Sequence, residues 1–278
     1  MNSEITESFF ILNSRTMPSV EADKLPQSTS RTIYEVLRVT SGIPVFLERH
    51  LERLESSARL VNSSVAVIRQ GLTESINELI KTNGHPDKNI KILVYNLDNA
   101  TPDYMAFFIK SSYPSEEEYK NGVHAILIHE ERTNPNAKIV NSSYKERVAE
   151  AMSEAKAYEA LLVNNRNEIT EGSRSNVFFV RGDEVLTAPK GNVLIGITRV
   201  CVMELCEKLG IKVSEIPICV DMLKDIDGLF MSGTSPKLLP ISTIGDMAFE
   251  SASNPVIRAL MKGYDDMLSE YIYKKRIG

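Results

Sequence analysis

Glu168-Ile-Thr-Glu-Gly-Ser-Arg-Ser-Asn-Val-Phe-Phe-Val180 is the stretch on which the reading of this chain turns. Two short β-type runs flank a polar segment that holds one acid, Glu171, beside Gly172. The second run, Asn176–Val180, reads as a strand. Taken alone, a glutamate here reads as a solvated turn residue, because ionised side chains are seldom buried. Set between two strands, the same carboxylate is costly to keep unless a group nearby needs its charge.

Working outward, strand runs and amphipathic helices alternate. Ala160–Val163 and Glu184–Thr187 read as strands on either side of the block, with further strands near Val213 and Leu229. A helix is expected from about Ser143, where Ser143 and Glu146 have capping-box spacing, with Val148, Met152, Ala155 and Tyr158 as its apolar stripe. Another runs from about Thr198 to Gly210, a C-terminal cap residue. The last begins at Asn254-Pro255, with proline in the first turn. In the first half, Phe9–Leu12, Ile33–Val39, Ile90–Tyr95 and Met105–Ile109 read as strands, and Val123–Ile128 restarts the second half. Leu47, Leu51, Leu54, Ala58 and Val61 recur at helical spacing, as do Ile68, Leu72, Ile76 and Leu79. The polar, turn-rich Ser111–Gly122 is the linker candidate. An α/β chain of two domains follows: 1–112 small, 113–120 linker, 121–278 large.

The 278 residues carry a net charge of -5, which leaves no basic footprint for nucleic acid or an anionic membrane. No apolar run reaches the roughly 18 residues of a bilayer span. The acidic start, Met-Asn-Ser-Glu, is unlike a secretory signal. Cys201, Cys206 and Cys219 match neither metal-ligand spacing nor an even disulfide set, so a reducing, cytoplasmic setting is expected and no metal.

Two features suit a phosphate. Gly196-Ile197-Thr198-Arg199 opens a helix, and a helix N-terminus offers free N–H groups and partial positive charge. Arg53, in His50-Leu-Glu-Arg53-Leu54, lies beside an apolar stripe from which a guanidinium can reach inward for a bidentate contact. The ordinary readings are a capped helix start and a surface arginine. Strand alternation also puts Tyr34, Val36 and Arg38 on one face of their strand.

These blocks, in this order, resemble the class IV (fold type IV) pyridoxal-phosphate aminotransferases from Tyr34 to about Ile241. The resemblance implies a small N-terminal α/β domain and a larger C-terminal domain with a barrel-like β core. It implies pyridoxal 5'-phosphate as cofactor, with Glu171 at the pyridine nitrogen. Lys138, in Asn136-Ala-Lys-Ile-Val-Asn141 after Arg132-Thr-Asn-Pro135, becomes the Schiff-base lysine and proton carrier, with Lys145 its rival. Arg53, Gly196, Ile197 and Thr198 hold the phosphate, joined by Thr234 and Ser235 in the Gly233-Thr-Ser-Pro236 turn. Tyr34, and with it Arg38, faces the substrate. An amino acid, expected to be L and apolar or branched, exchanges its amino group with a 2-oxo acid in a homodimer.

The chain departs from the family at three places. Ser28-Thr-Ser-Arg-Thr-Ile33 replaces a glycine-rich stretch. Asn96–Thr101 lacks the carboxylate-binding arginine of the D-amino-acid branch, which disfavours D substrates. Ser143, followed by Tyr144, stands where branched-chain members often carry tyrosine. Two alternatives stay open: an aminodeoxychorismate lyase of the same fold, and a non-catalytic protein that binds phosphate ligands.

Overall fold

The computed structural model describes residues 4–24, 31–131, 136–139 and 142–277. Arg132–Pro135, Asn141 and the Ser28–Ser30 replacement lie outside them, as do the side chains of Ser143, Tyr144 and Lys145. The chain divides into two compact units. One comprises Met1–Ser112, Ala137–Val140 and Leu268–Gly278, the other Tyr113–Asn136 and Asn141–Met267.

The first unit is built on an antiparallel sheet of β1 (Phe9–Leu12), β2 (Arg15–Pro18), β3 (Ile33–Thr40), β4 (Ile43–Pro44), β5 (Asn89–Tyr95) and β6 (Asp103–Ile109), in the order β2-β1-β6-β5-β3-β4. Helices α1 (Leu47–Leu60) and α2 (Arg69–Thr82) cover one face. Their expected stripes are buried there, Leu51, Leu54 and Ala58 from α1 and Leu72, Ile76 and Leu79 from α2. Period-two alternation in β3 sends Ile33, Glu35, Leu37 and Val39 towards those helices. Tyr34 goes the other way, against Phe10, Leu93, Met105 and Phe107. The chain's last turns belong to this unit through Tyr271, whose ring lies 4.7 Å from that of Phe46 and whose hydroxyl donates to Glu48 at 2.8 Å.

Alternation therefore puts a carboxylate, Glu35, into an apolar layer, where it survives only if donors replace water. Arg53 Nε donates to Oε1 at 2.7 Å and Nη2 to Oε2 at 2.6 Å, while His50 Nδ1 lies 2.8 Å from Oε2. Burial alone would raise the Glu35 pKa. The Arg53 charge, then the hydrogen bonds from Arg53 and His50, overcome it and hold the carboxyl at about 2. Burial pushes His50 down, and its hydrogen bond to Glu35 only partly opposes this, so the neutral ring donates from Nδ1.

The second unit carries a ten-stranded mixed sheet, curled into a half-barrel. Its strands are β7 (Val123–His129), β8 (Glu159–Val163), β9 (Glu168–Gly172), β10 (Asn176–Arg181), β11 (Glu184–Thr187), β12 (Lys212–Glu215), β13 (Ile218–Cys219), β14 (Gly228–Gly233), β15 (Lys237–Ile244) and β16 (Met247–Ala248). The order is β12-β11-β10-β14-β15-β7-β8-β9-β13, with β16 on β15. Pairing is parallel at β7–β8, β7–β15 and β11–β12. One face packs Val177, Phe179, Leu229 and Met231 into a core with Ile169 and Ile241. On the other, Phe178 stacks on Phe230 at 5.0 Å, beside α5 (Ile197–Leu209) and the start of α6 (Pro255–Ile277).

Several elements differ from the sequence reading. The linker stretch contains a helix, α3 (Glu116–Asn121), because Ser115 and Glu118 form a complete capping box. Helix α4 (Ser142–Glu154) already includes Ser143, and it ends before Ala155 and Tyr158, so Val148 and Met152 pack from the helix while Tyr158 packs against the sheet core from beyond its end. Strand β15 has no counterpart in the sequence reading, and it contains Pro240, which cannot donate to a ladder. Pro240 pairs only with Phe230 on β14, and the β7 ladder begins one residue later at Ile241, so its missing N–H leaves no gap. Cys201 and Cys206 are buried and form no disulfide, as small core hydrophobes do. Among the described residues no cluster fits a metal ion, and no helix is long and apolar enough to cross a membrane.

A second buried carboxylate, Glu159, builds the turn between β9 and β10. Its Oε1 accepts from the Ala160 N–H (2.9 Å), the Ser173 N–H (3.0 Å) and the Ser173 hydroxyl (2.5 Å). Its Oε2 accepts from the Ser175 hydroxyl at 2.8 Å. Gly172 is required beneath it, since a Cβ there would lie 2.2 Å from Ser175 Oγ and 3.0 Å from the Glu159 carboxylate.

Two outcomes follow from these acids. Gly172→Ala is expected to lower the urea-unfolding free energy by about 1–3 kcal/mol through overpacking; an unchanged midpoint would show that the turn relaxes freely. The Glu35 pKa is depressed on folding, so its contribution is complete above pH 4.5 and disappears as pH falls towards 2. Full loss amounts to about 3 kcal/mol. His50 acts in the same direction below its ordinary value. Denaturation at pH 7, 5 and 3.5 should show this decline, with a flatter acid limb in Glu35→Gln; equal slopes would contradict it.

Candidate functional site

The expected residues gather into two clusters, one in each unit. In the first unit, Lys138 is stitched to β3 through its backbone: the Tyr34 N–H donates to the Lys138 carbonyl at 3.0 Å, and Ile139 bridges Ile33. The Lys138 N–H reaches Ser57 Oγ on α1 at 3.4 Å. Its ammonium stands 4.7 Å from the centre of the Tyr34 ring, a cation–π distance. Successive residues of β3 thus serve both faces, Tyr34 meeting the lysine and Glu35 holding Arg53. Arg53 is nearly buried, and two of its five N–H donors are committed to Glu35, which fixes the plane of the guanidinium. Arg38 lies on the Tyr34 face of β3, half-buried.

The second cluster assembles around Leu194, just before α5. Glu171 does not lie in a loop. It is the fourth residue of β9 and 3% exposed, so the solvated-turn reading of this residue does not hold. Glu171 Oε2 accepts the Leu194 N–H at 3.0 Å. On the other side of the same residue, Asn176 Nδ2 donates to the Leu194 carbonyl at 2.8 Å. Two residues on, Gly196 is the N-cap of α5 with extended backbone (φ −68°, ψ 142°) and no side-chain cap. Ile197, Thr198 and Arg199 are all buried in the first turn. The helix start therefore presents backbone donors without a side-chain cap, in a desolvated setting that favours an anion.

Thr234 and Ser235 occupy the turn between β14 and β15, which closes with Gly233 opposite Lys237. This turn is held from behind by the Tyr119 hydroxyl, which donates to the Pro236 carbonyl at 3.0 Å. It adjoins the Leu194 cluster through the ladder, because Asn176 pairs with Ser232. Arg199 secures the other flank of the helix start, with Nη2 donating to the Ala188 carbonyl (3.2 Å) and to Glu215 (3.0 Å).

The sequence reading missed the residues that hold these groups in place: Glu35 and His50 behind Arg53, Glu159 behind the 172–175 turn, and Asn176. The available signal for Glu35 was strand alternation, which puts it on the face opposite Tyr34, Val36 and Arg38. Nothing local pointed to Glu159, whose partners lie about fifteen residues downstream.

Residues 32–244, well over half of the chain, match the family described as amino-transferase class IV. The chain is 28% identical to a D-alanine aminotransferase of Bacillus licheniformis over 233 residues, covering 80% of this chain and 81% of that protein. A probable branched-chain-amino-acid aminotransferase of Synechocystis is 25% identical over 251 residues, covering 82% and 80%. Among solved structures, a T.th. branched-chain amino acid aminotransferase with pyridoxamine 5'-phosphate superposes with a TM-score of 0.83 at 25% identity, covering 96% of both chains. The two-unit α/β fold is thus that of fold type IV, and the chain belongs to the class IV aminotransferase family and is a transaminase.

Proposed function

We propose that this transaminase uses pyridoxal 5'-phosphate to move the amino group of an apolar L-amino acid to a 2-oxo acid. The observation that carries the reading is the Glu171–Leu194–Gly196 assembly: a buried carboxylate bonded to the residue that leads into an uncapped helix start. An acid for a ring nitrogen and a donor set for a phosphate are thereby one construction. The donor chemistry fits the cofactor, with an amine in Lys138, a carboxylate in Glu171, amides at Gly196, Ile197 and Thr198, and hydroxyls in Thr234 and Ser235. Arg53, oriented by Glu35, is assigned to the phosphate, and Tyr34 and Arg38 to the substrate side.

When bound, pyridoxal phosphate supplies an electron sink for negative charge at the substrate Cα. The protein's share is positioning and proton movement. Lys138 Nζ would be the amine that holds the cofactor's aldehyde and, when free of it, the base and acid that moves the substrate's proton. Glu171 would favour a proton on the ring nitrogen, since a buried carboxylate favours a cation beside it. The Tyr34 ring holds the Lys138 amine in place between these steps.

Support for an L substrate comes from the β5–β6 turn, 96–102, which carries no cation for a carboxylate. Asn96 Nδ2 instead donates to Asp103 at 2.7 Å. The branched-chain names among the relatives favour apolar side chains, whereas the Bacillus licheniformis relative names D-alanine. A cytoplasmic homodimer is the proposed setting.

The full-length protein is expected to show a visible absorption band with pyridoxal phosphate that survives dialysis and is absent in Lys138→Ala. A protein that gains no band would overturn the cofactor. Glu171→Gln should keep the fold and lose roughly 100-fold or more in kcat; undiminished turnover would remove Glu171 from the ring nitrogen. Assays with L-leucine, L-valine, D-alanine and aminodeoxychorismate should rank the branched L-amino acids first. Pyruvate release from aminodeoxychorismate alone would identify a lyase instead.

A further inference from the structure

Asn176 stands where every cofactor-facing element of the second unit meets. It is 5% exposed and is the first residue of β10, on the face of that strand that also carries Phe178 towards α5. Its ladder partner is Ser232, which leads directly into the Gly233–Pro236 turn. Its Nδ2 donates to the Leu194 carbonyl, while Glu171 holds the N–H of that same residue. Its Oδ1 fills the place where Gly196 would carry a side chain, only 2.2 Å from an ideal Cβ. The glycine at the α5 N-cap is therefore dictated by Asn176 and not by its own backbone, since its φ of −68° suits any residue.

We infer that Asn176 is a positioning residue that sets the start of α5 for the cofactor's phosphate, by gripping the Leu194 carbonyl and packing against Gly196. The inference rests on the cofactor reading given above. Its physical content is that one residue is held at both its N–H and its C=O. With the Leu194 N–H fixed by Glu171 and its C=O fixed by Asn176, the Leu194–Gly196 segment cannot rotate without breaking a buried hydrogen bond. The first-turn amides of α5 consequently keep one direction. A phosphate bound there gains from donors that need no rearrangement on binding. Asn176 holds the carbonyl side of Leu194, which leads into α5, whereas Glu171 holds the N–H side, so its effect falls mainly on the phosphate end.

The test compares pyridoxal phosphate with pyridoxal, which lacks the phosphate, by equilibrium dialysis against the full chain freed of cofactor. In Asn176→Ala, affinity for pyridoxal phosphate is expected to fall by about tenfold or more, the scale of one lost hydrogen bond. Affinity for pyridoxal should change much less. Gly196→Ala, which drives a Cβ onto Asn176, should give the same signature from the helix side. Combining it with Asn176→Ala should be no worse than Gly196→Ala alone, because the clash is removed. Equal losses for both ligands, an unchanged preference, or additive effects in the double variant would each overturn the inference. Should Asn176→Ala not fold, Asn176→Ser or Gly196→Ala decides the matter by the same ratio. A wild-type chain with no preference for the phosphorylated ligand would overturn the cofactor reading and the inference with it. A wild type with that preference, and variants that keep it, would overturn the inference alone.

Discussion

A carboxylate removed from water must be met by donors, and that requirement organises this molecule at three places. Glu35, Glu159 and Glu171 are each almost wholly buried. An unmet charge there would be intolerable, so each has drawn a segment of chain around itself. Glu35 ties α1 to β3 through Arg53 and His50. Glu159 winds the turn that follows Glu171 around four accepted hydrogen bonds. Glu171 reaches across to the residue that launches α5. Each acid gives a defined direction to a strand inside an otherwise apolar sheet.

Those directions are built into the fold. An arginine pinned in plane by a buried glutamate, a lysine lodged over a tyrosine ring and a helix start aimed by a doubly held residue are all arranged in advance. Groups that do not reorganise at the moment of reaction are worth more than mobile ones of the same charge. The second unit builds the Glu171–Leu194 contact beside the uncapped start of α5, and the first holds Lys138 and Arg53 on β3 and α1. Lys138 illustrates the point, since its backbone pairs with Tyr34 and its neighbour Ile139 with Ile33, although about a hundred residues of sequence intervene.

Much of this was legible from residue order. The helices at Leu47–Leu60, Arg69–Thr82 and Ile197–Leu209 announce themselves because a one-sided apolar stripe has only one period that buries it. The Gly210 cap, in the left-handed region at φ 68°, is local chemistry and needs no neighbour. Family resemblance singled out Lys138 and Glu171 among many lysines and glutamates. It could not say that Glu171 lies inside a strand, because burial is a property of what packs around β9. Nor could it find β15, where Pro240 speaks against a strand until the register places it outside the β7 ladder.

Sequence by itself determined the alternation of elements, the family and the identity of the polar residues available for chemistry, because periodicity, caps and motif order are short-range properties. Tertiary structure decided which polar residues are held and by what. Asn176 reads as one more residue of the quoted block until Leu194 and Gly196 are brought against it, and Glu35 reads as a strand residue until α1 delivers Arg53. Side chains distant in sequence meet only through the sheet and its helices. The reason is that a hydrogen bond to a buried group depends on position in space, which residue order specifies only through the whole fold.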